Sequence, residues 1–114
     1  MGVASTAMDT DVASLFANLP GADLVAEGLA DVAAGRESIA GELVKIGSPR
    51  LRECGVEVPV SPEDALKANH RLYHLLGTIH GREAHSQYNA LLRQLVSFER
   101  ALEQRVSRAR RSAA

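Results

Sequence analysis

Tryptophan is absent from this 114-residue chain, cysteine occurs once, and Phe and Tyr occur twice each. Aromatic residues reach only 4%, so the alternating β-branched and aromatic pattern of a β-sandwich is missing. Only Val56-Glu57-Val58-Pro59-Val60 alternates, and Pro59 bars it from the interior of a sheet. The lone Cys54 excludes an internal disulfide framework and suits a reducing compartment. No apolar run approaches the ~20 residues of a membrane-spanning helix. The N-terminus lacks a basic leader. Its Met1-Gly2-Val3-Ala4-Ser5-Thr6 matches an N-myristoylation pattern, but one acyl chain anchors weakly and no basic cluster lies beside it. The expectation is a soluble, cytoplasmic chain that does not engage a membrane.

The signatures of common catalytic sites are missing as well. There is no Gly-x-Ser-x-Gly elbow, no Gly-x-x-x-x-Gly-Lys phosphate loop and no Gly-x-Gly-x-x-Gly turn. The Arg-to-His spacing of a small helical ribonuclease is not met, since Arg71–His74 and Arg82–His85 are three apart and Arg71–His80 nine apart. Cys54 falls at an expected helix end beside Gly55, without the helix N-terminus or cationic surroundings that activate a thiolate. For metal binding, His70 and His74, four apart on a helix, form a first candidate pair. His80 and Glu83 form a second pair, and Glu27 and Asp31 are possible supplements. A transition-metal site needs three or four ligands on converging elements, and neither His-Glu-x-x-His nor paired Glu-x-x-His motifs occur. No cofactor is expected, and an enzyme is the less favoured reading.

What the chain does contain is helical periodicity. Apolar residues make up 46% of it, enough for the core of one domain. Tyr88, Leu91, Leu92, Leu95, Phe98, Leu102 and Val106 step along one face of an α-helix. Ser61-Pro62-Glu63-Asp64 is a strong helix start, and Leu66, Leu72, Tyr73, Leu76 and Ile79 follow it. The stripe changes phase across the polar His80-Gly81-Arg82-Glu83, which predicts a break there. Upstream, a short helix is expected over Thr10–Leu19, another from Ala22 to a stop at Gly35, a third capped by Ser38 and ending at Gly47, and a short one opened by Ser48-Pro49. The expected fold is all-α: a small helical bundle of five or six helices, the two long C-terminal helices forming a hairpin. A single domain over 10–110 is flanked by loose ends at 1–9 and 111–114.

Charge is split along the chain. Residues 1–57 hold four basic and nine acidic side chains, a net of −5, and residues 58–114 hold nine basic and five acidic, a net of +4. Arg105, Arg108, Arg110 and Arg111 make a basic C-terminus that suits phosphates. Cations also suit the last turn of any helix, and an isoelectric point of about 6.4 is far from that of a dedicated nucleic-acid binder. A helix-turn-helix drawn over Ala22–Ile46 would read DNA with a helix carrying Glu37, Glu42 and only Lys45, a poor match to a polyanion.

The most distinctive stretch is Ala84–Leu92. Its His85, Gln87, Tyr88 and Asn89, with Leu92, Leu95 and Phe98 beyond them and Arg71 and Tyr73 across the break, form a candidate interface or ligand patch. The favoured function is therefore a non-enzymatic helical protein–protein interaction or accessory module, of the general class that includes antitoxins. It is expected to form a homodimer through a C-terminal stripe too long for the short N-terminal helices to cover. A nucleic-acid-associated protein using the terminal arginines and a metal-binding enzyme using His70 and His74 are the alternatives.

Overall fold

Short polar side chains and glycines punctuate the chain where the sequence predicts. The computed structural model describes residues 14–113; the expected loose start, the acylation pattern and most of the expected first helix lie outside them. Residues 14–16 are helical. Five helices follow: α1 (Ala22–Ala33), α2 (Ile39–Ile46), α3 (Ser48–Glu53), α4 (Pro62–His80) and α5 (Ala84–Ala113), with a 3-10 turn at Gly81–Glu83 between the last two. The fold is all-α, with no β-strand among the described residues, and α5 runs past its expected end at Arg110.

Each boundary has a local cause. After α1, the N–H of Arg36 donates to the Asp31 carbonyl (2.9 Å) and that of Gly35 to Val32 (3.1 Å), a pairing that closes helices around a left-handed residue; Gly35 takes φ +74°. The Gly41 N–H donates to Ser38 Oγ (2.9 Å) and the Asp64 N–H to Ser61 Oγ (3.1 Å), as N-caps do. Ser48 departs from expectation. Gly47 is both the last cap of α2 and the first of α3, so the helices adjoin without a linker. The buried Ser48 hydroxyl has no hydrogen-bond partner among the described residues. The break near Gly81 is real: its φ of +56° and ψ of −116° lie where only glycine is comfortable.

The core forms around α2, whose residues Ala40–Val44 are all buried. Gly28 lets α1 approach it: a Cβ there would stand 2.3 Å from the Ala40 carbonyl oxygen, so any side chain would push the helices apart. Leu51, Val56, Val58, Leu72 and Leu76 complete the interior. Arg52 donates to the carbonyls of Val58 (2.7 Å) and Val60 (2.5 Å) and pins the extended connector.

The α5 stripe corrects the expectation of an uncovered surface. Leu95, Phe98 and Leu102 are 3%, 0% and 0% exposed within the single chain. Several short pieces cover the helix in succession where no one long helix could. Phe16 meets Phe98 edge-on at 4.7 Å, Gly21 lies against Gln94 and Phe98, and Gly47 against Leu95. Farther along, Arg50 reaches Glu103 (3.1 Å). The helix, ~45 Å long at 1.5 Å per residue, accounts for the longest dimension of a 49 × 32 × 25 Å molecule. Tyr88, Leu91, Leu92 and Val106 stay partly exposed at its two ends.

Candidate functional site

The reversal at Gly81 brings the start of α5 back against α4. Tyr73 stands 5.5 Å from Tyr88 and 6.4 Å from His85 between ring centroids. The Tyr88 hydroxyl donates to Asn69 Oδ1 (2.8 Å), and His85 and Asn89 pair at 3.2 Å. These contacts hold the aromatic edge of the hairpin in one arrangement. Beside it Leu66 is 80% exposed and Tyr73 44%, and Ile79, near the tip of the hairpin, is 62% exposed. Leu66 and Tyr73 lie seven residues apart, two turns along one line of α4. Gln87, Asn89 and Leu92 are half-buried along the first turns of α5.

Two members of the predicted patch belong to the core: Leu95 and Phe98 are sealed against the chain's own N-terminal half and offer nothing to a partner. Arg71 is displaced for an electrostatic reason. It turns away from Tyr73 toward Glu42, a fully buried carboxylate on α2, and meets it at 2.5 Å while holding Asp64 at 2.7 Å. A buried carboxylate without a counter-charge is expensive, and Arg71 lies on the helix packed over it. Lys45 closes the ring, 3.3 Å from Glu42 and 3.1 Å from Asp64. These four groups line a cleft of about 210 Å³ with Arg36 and Glu37 at its rim. The hydrogen bond from Lys45 is the main influence holding the Asp64 carboxyl below the usual range, and the hydrogen bond to Glu42 holds Arg71 more firmly charged. Asp31 is held down likewise, first by the Ser38 hydroxyl (2.7 Å) and then by Arg36. The four inner groups form a closed electrostatic lock, spent on one another, while Arg36 pairs with Asp31. The sequence offers one sign of it, the i,i+3 spacing of Glu42 and Lys45.

The basic C-terminus divides. Arg105 donates to the carbonyls of Leu15 (2.9 Å) and Ala17 (2.6 Å), and Arg110 to that of Glu53 (3.3 Å). Both satisfy carbonyls at the ends of helical segments. Arg108 and Arg111 remain exposed. The helix-turn-helix reading fails because its recognition helix, α2, is the buried centre of the fold. His70 and His74 are exposed on α4. Among the described residues no group of three or more His, Cys, Asp or Glu side chains is placed to hold a metal. Burial, then the nearby Glu103, pushes the Cys54 thiol up, so it is a core thiol in its protonated form. No described helix is long and apolar enough to cross a membrane. No family model matches the chain, and no curated protein or solved structure is significantly similar to it.

Proposed function

We propose that the chain is a non-enzymatic helical interaction module that docks a protein partner on the face of the α4–α5 hairpin. The observation that carries this reading is the exposed Leu66 and Tyr73 beside an aromatic edge already fixed by Tyr88–Asn69 and His85–Asn89. Aromatic side chains held in place before binding, as Tyr73 and Tyr88 are here, lose little entropy on docking, and such anchors supply much of the energy of an interface. Self-association remains within this proposal, by a different route from the buried stripe: two hairpin faces related by a two-fold axis would make an isologous contact.

The test is affinity capture from the native host with the full chain and with the Leu66→Asp/Tyr73→Asp variant. A stoichiometric protein held by the first and lost by the second supports the proposal. Sedimentation then separates a second copy from a different protein. Equal recovery by both chains, or no stoichiometric partner, overturns it.

A further inference from the structure

The outward side of α5 is a second surface, opposite the core stripe. Arg93 and Arg111 are 18 residues apart, five full turns at 3.6 residues per turn, so they point the same way ~27 Å apart. Arg100 falls within about 20° of the same line and Arg108 within about 60°. All four are exposed, and none has an ion-pair partner among the described residues. The only acids of α5, Glu99 and Glu103, sit on its flank, and Arg50 holds both at 3.5 and 3.1 Å. Between the arginines stand Ser97, Gln104 and Ser107, which can hydrogen-bond, and the half-buried Val96. One open groove is lined by Arg100, Arg108 and Arg111, with Gln104 and Ser107 between them and the Arg50-paired Glu103 at its edge.

We propose that this face docks the phosphate backbone of duplex DNA through Arg93, Arg100, Arg108 and Arg111. A second copy of the chain is disfavoured, because pairing the face with itself brings two rows of net positive charge together. A small anion meets one or two guanidinium groups, whereas a row ~27 Å long is matched by a regularly charged rod, and B-DNA carries one charge per ~1.7 Å of axis. The row has no aromatic side chain, the usual platform for single-stranded bases. The B-form major groove admits an α-helix, while the A-form groove is too narrow. The contact is to backbone, so binding is independent of sequence.

Fluorescence anisotropy with a labelled DNA duplex, a single strand, an RNA duplex and poly-glutamate reads the outcome. Four phosphate contacts predict a slope of log affinity on log salt of about −3.6, hence about a 100-fold loss between about 50 and 200 mM salt. Arg100→Ala reduces the slope by about one unit. The Arg93→Ala/Arg100→Ala/Arg108→Ala/Arg111→Ala variant abolishes binding with its helical circular dichroism unchanged. No duplex DNA binding at low salt, binding retained by the quadruple variant, or equal or tighter binding of the single strand, RNA duplex or poly-glutamate overturns the proposal. The hairpin face is not involved, so the Leu66→Asp/Tyr73→Asp variant binds DNA like the parent chain.

Discussion

Two sets of four charged side chains on this molecule differ in composition and in surroundings: one mixes acids with bases, the other is all arginine. In the cleft between α2 and α4, Glu42, Lys45, Asp64 and Arg71 face one another at 2.5–3.3 Å around a carboxylate with no exposed surface. Along the outer side of α5, Arg93, Arg100, Arg108 and Arg111 face water. The first set closes the fold by satisfying a buried acid. The second contributes nothing visible to the fold and is free to meet something else. A cleft lined with acids and bases is the usual first place to look for chemistry; here the pairing of its groups marks it as structural, and the unpaired row marks a surface.

Mutation should separate the two sets. Glu42→Ala leaves Arg71 and Lys45 without their buried partner, and the expected loss is about 3–5 kcal/mol in urea unfolding. A loss under about 1 kcal/mol would mean that the cleft is no lock. Arg105→Ala comes next, because it strips two carbonyls near the described start of the chain; about 1.5–3 kcal/mol is expected from the same measurement.

Glu99 gives a smaller, pH-dependent effect. Burial is the main cause that raises its carboxyl above the ordinary 4.5, against the pull of Arg50. The folded state then holds this proton more tightly than the unfolded state. Its contribution is fully present below about pH 4.5 and is lost as pH rises through the folded value. Glu99→Gln should remove that fall, read as a flatter stability–pH profile above pH 4.5. Asp31 and Asp64 act with the opposite sign, and their contributions are lost as pH falls through their lowered values. Smallest of all, Arg100→Ala should change stability by no more than about 0.5 kcal/mol. A cost like that of Glu42→Ala would erase the distinction between the two sets.

Local features were legible in the sequence. Ser38 and Ser61 cap the helices they were expected to cap, Gly35 closes α1, and the phase change at His80–Glu83 is a chain reversal. Each is set by residues within a few positions of one another. Partnerships across the chain were hidden. Arg105 reaches a carbonyl 90 residues away, and nothing near it in sequence announces that. Glu42 looks like any surface acid on an amphipathic helix until α1 and α4 close over both sides of α2. Coverage of the α5 stripe was hidden for a related reason. Helix length alone suggested a surplus of apolar surface, yet residues 15–21, the α2–α3 junction and α3 cover successive parts of it. The candidate patch shrinks to its hairpin end because the middle of the stripe belongs to the core.

One chain seals the middle of its own α5 stripe, which leaves the hairpin face and the arginine row as its outward surfaces. Equilibrium unfolding of the Leu66→Asp/Tyr73→Asp variant at about 1 and about 100 μM protein tests it directly, since a stripe buried between subunits would make stability depend on concentration. The same midpoint at both concentrations is predicted. A midpoint that rises with concentration would contradict the claim and place Leu95, Phe98 and Leu102 between two chains.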